Sequence, residues 1–125
     1  MIQKLLLLAL AGGVGTLGRY ALAGAVQRLT GVGFPWGTAA VNAIGCFLFG
    51  LVWAVAAERL AKSSQARTIV LVGFMGAFTT FSTFISETGR LAADGQYFMA
   101  AGNMLLQNAV GIVLLFAGLA AGRCV

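Results

Sequence analysis

The sequence predicts an all-α integral membrane protein of four spans, a single membrane domain over residues 1–125. Three observations carry this. Of the residues, 60% are apolar and 9% charged, against about 45–50% and about 25% in ordinary soluble domains. Mean hydropathy is +0.95. Charge-free stretches run from Leu29 to Ala57, Thr68 to Ser86 and Gly95 to Gly122, each long enough for the roughly 20 apolar residues of a transmembrane helix. Eight basic and three acidic side chains cannot clothe a soluble surface. A soluble enzyme, a nucleic-acid module and a disordered tail are therefore excluded. The net charge of +5 comes from scattered Arg and Lys without a run, which suits headgroup and topology anchors rather than nucleic acid. There is no His, and Cys46 and Cys124 lie far apart. No zinc spacing and no disulfide framework follows from them.

The four spans are placed at about 3–27, 35–57, 68–90 and 96–122. The first, Leu5 to about Val26, is interrupted by Arg19. Lys4 followed by Leu5 to Leu8 mimics a cleavable signal segment, but the apolar pattern continues past Ala11. Gly12, Gly13, Gly15, Gly18 and Gly24 equip this span for close packing, as do Gly33/Gly37 and Gly118/Gly122 at small-x-x-x-small spacing. Pro35 suits the first turn of the second span, where its missing N–H costs nothing. Tyr20, Trp36, Trp53 and Tyr97 sit near span ends, as interfacial belts do. Lys4, Arg59, Lys62, Arg67 and Arg123 share the face of both termini, while Arg28 and Arg90, with Arg19 if it snorkels, share the other. The bias leans to cytoplasmic termini by a small margin.

Polar groups inside a bilayer face a partner or a water path. On span 2, Thr38, Asn42, Cys46 and Gly50 repeat at i, i+4 and share a face. Asn42 brings two donors and an acceptor into an apolar helix. On span 4, Asn103, Gln107 and Gly111 repeat likewise, with Asn108 beside them. Such amides serve either as interhelical glue or as a shared polar track. Span 3 carries Thr79, Thr80, Ser82 and Thr83 among Phe78, Phe81 and Phe84. Gly76 and the β-branched threonines weaken the helix here. Either it breaks, freeing backbone groups that survive only inside protein, a cavity or an ion site, or it stays whole with its hydroxyls bonded back to i−4 carbonyls. The phenylalanines, at i, i+3, i+6, fall on one side; ring edges are positive and attract an anion weakly. No acid lies in the middle of any span. Four spans in one thin bundle hardly enclose a path, so a chain that moves a solute should oligomerise.

Several segments carry a resemblance. Gly12 to Tyr20, ending Gly18-Arg19-Tyr20, and Gly37-Thr38-Ala39-Ala40-Val41-Asn42-Ala43-Ile44-Gly45 are two of them. The third is Gly73-Phe74-Met75-Gly76 followed by Thr79-Thr80-Phe81-Ser82-Thr83-Phe84 and Glu87. With these the chain resembles, over nearly its whole length, the Fluc (CrcB-like) fluoride channels. The resemblance implies a passive fluoride-exporting channel, not an enzyme, in the bacterial inner membrane. It implies an antiparallel, dual-topology homodimer with two pores and a third helix broken mid-membrane. It further implies one structural Na⁺ at the dimer centre, on backbone carbonyls of Gly76 and Thr79. Pore or fluoride-binding positions fall on Asn42, Phe81, Phe84, Ser82, Thr83 and Thr38, a vestibule arginine on Arg19, and the motif acid on Glu87. Asn103 and Gln107 join the polar track, here more on their i, i+4 stripe than on the match. The implied partners are fluoride, a second copy and lipid, and no nucleic acid.

Two other readings compete. A small multidrug transporter needs an acid within span 1, and Gln3 to Gln27 contains none. A non-transporting membrane subunit would use the glycines and amides for packing alone.

Overall fold

The computed structural model describes residues 1–59 and 64–124. Among these, six α-helical segments follow in order: α1 (Ile2–Thr30), α2 (Trp36–Arg59), α3 (Ser64–Thr68), α4 (Gly76–Phe78), α5 (Phe81–Ala93) and α6 (Tyr97–Arg123). A wider π-helical stretch, Ile69–Met75, joins α3 to α4. Among the described residues four helical runs are long and apolar enough to cross a membrane: Ile2–Thr30, Trp36–Ala56, Gln65–Ala93 and Tyr97–Arg123. The charged connection expected over Glu58 to Arg67 falls in part, Lys62 included, outside the described residues.

α1 ends at Gly31, whose φ of 85° lies in the left-handed region that glycine tolerates. Gln27 then organises the turn. Its Nε2 donates to Gly31 O and, at 2.9 Å, to Phe34 O, while its Oε1 accepts from Gly37 N at 3.0 Å. One side chain thereby satisfies backbone groups on both sides of the turn. α2 begins at Trp36, one residue after Pro35, whose carbonyl accepts from Ala39 N at 3.1 Å. Pro35 is thus the cap rather than part of the first turn. The α5–α6 turn is a Schellman closure, with Gln96 N donating to Leu91 O and Gly95 N to Ala92 O, at 2.8 and 3.0 Å.

α2 and α6 pack along much of their lengths, backbone against backbone. A side chain at Gly50 would strike Leu115 O, and one at Gly118 would strike Phe47 O. At Gly122 an added Cβ would meet Leu51 O at 2.7 Å. α1 lies against the π-helical stretch, with Gly15 on Phe74 O. Gly33, by contrast, faces open space, so of the expected pair Gly33/Gly37 only Gly37 makes a close approach, to Ala23 O. Arg67 stacks over the Trp53 ring, 4.1 Å from its centroid, joining α3 to the end of α2.

The core between the helices is small, centred on Val41, Leu71, Met75, Phe78 and Phe84. Gly15 is the buried residue of α1, while Leu5, Leu6, Leu10, Val14 and Leu17 are exposed. A surface of leucine and valine is the surface lipid requires. The chain is a multi-pass membrane protein.

Candidate polar track

The site grows from an interruption in the third helical run. α4 ends at Phe78; Thr79 (φ −81°, ψ 158°) and Thr80 (φ −149°, ψ 110°) are extended; α5 starts at Phe81. Thr80 caps α5, its Oγ1 accepting from Thr83 N at 3.3 Å and donating to Thr83 Oγ1 at 2.9 Å. Ser82 Oγ lies 3.5 Å from the same hydroxyl. Thr79 Oγ1 donates back to Met75 O at 3.0 Å. Gly45 of α2 makes room for this bend, since a Cβ there would strike the Thr79 methyl.

The interruption exposes a peptide unit, and Asn42 takes it up. Thr80 N donates to Asn42 Oδ1 at 2.9 Å, and Asn42 Nδ2 donates to Thr80 O at 3.1 Å. Asn42 Nδ2 also donates to Gln107 Oε1 at 2.8 Å. Gln107 Nε2 donates to Asn103 Oδ1 at 2.8 Å, and Asn103 Nδ2 to Thr88 Oγ1 at 2.8 Å. Thr88 Oγ1 donates to Phe84 O at 2.8 Å. Three spans are stitched together by neutral groups. The two amide stripes of spans 2 and 4 therefore meet, while Asn108 donates to Met104 O on its own helix and lines the adjoining groove without joining the bonded chain.

Beside this chain a groove of about 390 Å³ is lined by Asn42, Cys46, Thr79, Thr80, Phe81, Phe84 and Gln107 among others. The Phe81 and Phe84 centroids lie 5.7 Å apart with the rings tilted 55°. Phe84 is 4% exposed and Phe81 74%. Phe78 does not join them. It is buried and stacks on Phe74 at 5.7 Å. The even i, i+3, i+6 spacing holds only for a continuous helix, and the extended residues 79–80 change the phase.

A second groove, of about 360 Å³, touches the other side of Thr80 and holds Arg19, Tyr20, Thr38 and Thr83. Thr38 Oγ1 donates to Glu87 Oε1 at 2.9 Å. Glu87 Oε2 is buried and, among the described residues, has no hydrogen-bond partner. Glu87 also lines a groove of about 380 Å³ with Gln27, Arg90 and Asp94, at the end of the bundle holding the α1–α2 and α5–α6 turns.

The carbonyls of Gly76 and Thr79 can be tested for cation binding by following their helical donors. In a continuous α-helix Gly76 O accepts from residue 80 and Thr79 O from residue 83. Here Thr80 N goes to Asn42 and Thr83 N to Thr80 Oγ1. Both carbonyls are released from those bonds, and Gly76 is exposed. Carbonyl oxygens of this kind fit a hard cation. No cluster of three or more His, Cys, Asp or Glu that could hold a metal occurs among the described residues.

Thr88 is the member of the polar chain that sequence reasoning missed. Its signal was present: it follows Glu87 and sits four residues after Phe84, the spacing of a back-bonding hydroxyl.

Comparison with known proteins adds an independent line. Residues 6–119 match the model of the family described as CrcB-like protein, Camphor Resistance (CrcB). A protein of Solidesulfovibrio magneticus named fluoride-specific ion channel FluC is 54% identical over 125 residues, all of both chains. Proteins of the same name from Nitrosococcus oceani and Desulforapulum autotrophicum are 55% identical, covering 94% of each chain, and 50% identical, covering 100% of each. With the motifs of spans 1 to 3, a match of this length means that the chain belongs to the CrcB-like family.

Proposed function

We propose that this chain is a fluoride-selective passive ion channel, not an enzyme, that exports fluoride across the bacterial inner membrane and relieves fluoride toxicity. The observation that carries the reading is the track of neutral amide and hydroxyl groups beside Phe81 and Phe84, in a protein otherwise built for lipid. Relatives named for fluoride-specific conduction support it.

Fluoride is small and strongly hydrated, so a pore must replace its water with donors and still let it leave. Gln107, the hydroxyls of Ser82 and Thr83, and the ring edges of Phe81 and Phe84 offer weak, sequential sites, while Asn42 and Thr38, whose donor hydrogens go to Thr80 O, Gln107 and Glu87, hold the track in shape. Asn103 supports the track from behind Gln107. Arg19 raises the local anion concentration at the vestibule, and Glu87 closes the same polar region through Thr38. Fluoride enters cells from acid surroundings as neutral HF and is trapped as the anion. The membrane potential suffices to drive it out.

The working unit in this proposal is an antiparallel homodimer with two pores. A phenyl ring 74% exposed beside exposed hydroxyls calls for cover by a second copy, and the narrow charge bias is compatible with insertion both ways. The interruption at Thr79–Thr80 lies mid-membrane, where the released carbonyls of Gly76 and Thr79 from both copies would hold one structural Na⁺.

Liposomes containing the purified protein should release fluoride rapidly through an uncoupled, electrogenic path and retain chloride, read with ion-selective electrodes. Phe81→Ile and Asn42→Ala should each cut the flux. Equal loss of chloride would defeat the selectivity claim, and no flux at all would favour a packing subunit.

A further inference from the structure

The polar chain has a direction, and backbone atoms set it at both ends. Thr80 N–H can only donate, so Asn42 must turn Oδ1 toward it. The Asn42 amino group then has both hydrogens committed, to Thr80 O and Gln107 Oε1. Gln107 must therefore present its oxygen to Asn42 and its nitrogen to Asn103. Asn103 repeats the pattern, giving its oxygen to Gln107 and its nitrogen to Thr88. Thr88 accepts this bond and passes its own hydrogen to Phe84 O. Every carboxamide oxygen in the chain accepts a bond from within it. Gln107 is left with one uncommitted N–H, and Gln107 lines the groove with Phe81 and Phe84.

We infer that Thr88 is a positioning residue for anion passage: acting through Asn103, it holds the Gln107 amino group so that one N–H stays free toward the groove. The inference rests on the fluoride-channel reading and deepens it. Thr88 is buried and Asn103 fully so, and neither lines the groove beside Phe81. Their influence runs through the orientation of Gln107. Without Thr88, Asn103 has no fixed acceptor for its nitrogen and can rotate. Gln107 keeps its bond from Asn42 but loses the acceptor that holds its nitrogen, so its free N–H is no longer aimed steadily at the groove. Asn42, held by the Thr80 backbone, stays in place.

The test uses the full-length protein in liposomes and four forms: the unaltered chain, Thr88→Val, Thr88→Ser, and Thr88→Val combined with Asn103→Leu. Valine keeps the shape and removes the hydroxyl. The double variant removes both members of the buried pair, so no Asn103 amide is left buried without its partner, and it frees the Gln107 nitrogen directly. Fluoride efflux and the fluoride-to-chloride ratio should fall on the order of tenfold in Thr88→Val and in the double variant, the loss of about one net hydrogen bond. Thr88→Ser should stay within about twofold of the unaltered chain, because it retains the bond. Native rate and selectivity in the double variant, or equal impairment of Thr88→Ser and Thr88→Val, would overturn the assignment to Thr88 alone. A silent unaltered chain would instead overturn the channel reading on which it rests.

Discussion

α2 is held on its two sides by opposite means. Toward α6 it offers Gly50 and the backbone of Phe47 and Leu51, and α6 answers with Gly118 and Gly122. Toward α5 it offers Thr38 and Asn42, which bond to Glu87 and the Thr80 peptide. Around Gly50, Gly118 and Gly122 the first seam is close backbone contact, with the Asn42–Gln107 bond as a polar link further along it. The second is polar. In lipid no hydrophobic force drives helices together, and close packing of small residues does much of the work. Interhelical hydrogen bonds add on average only about 0.6 kcal/mol each. The glycine seam is therefore the scaffold, and the polar seam orients groups at a modest gain in stability. A chain selected for stability alone had little need of six linked polar bonds running from Thr80 to Phe84.

This contrast can be broken or sharpened by substitution. The largest effect is expected from Gly118→Val, whose side chain would occupy the position of Phe47 O. It should cost about 3 kcal/mol and remove most of the monodisperse protein on size exclusion; a variant that melts like the unaltered chain would remove the scaffold role. A smaller effect follows from Thr80→Ala. It deletes the α5 cap and the contacts to Thr83 and Ser82 but leaves the backbone bonds to Asn42. It should cost about 1 kcal/mol in a thermal melt while slowing fluoride efflux several-fold. If flux stays native while stability falls, the polar seam is structural only. The smallest effect belongs to Gly33→Ala, which meets nothing within 4 Å and has no positive φ. It should move stability by no more than about 0.5 kcal/mol and leave flux unchanged. Together with Gly118→Val it separates glycine as a packing element from glycine as mere composition.

Much of the site was legible in the residues. The stripe containing Thr38 and Asn42 and the stripe of Asn103 and Gln107 follow from helical spacing, and the threonine-rich segment marked where a helix is weak. The partnerships were not legible. Asn42 and Gln107 are 65 residues apart, and Asn42 and Thr80 are 38 apart. Local spacing says which face a residue occupies on its own helix but nothing of which face of another helix it meets. Phe78 shows the same limit: its spacing to Phe81 and Phe84 placed it with them, and two extended residues sent it to Phe74 instead.

Membrane residence and the number of spans were determined by the sequence alone, because both depend on how many apolar residues run together, a sum along the chain. Which amide faces which, which carbonyls at the interruption lose their helical donors, and that Thr88 closes the polar chain were decided only by tertiary structure. Hydrogen bonds are directional and short, so their partners are chosen by where the spans cross.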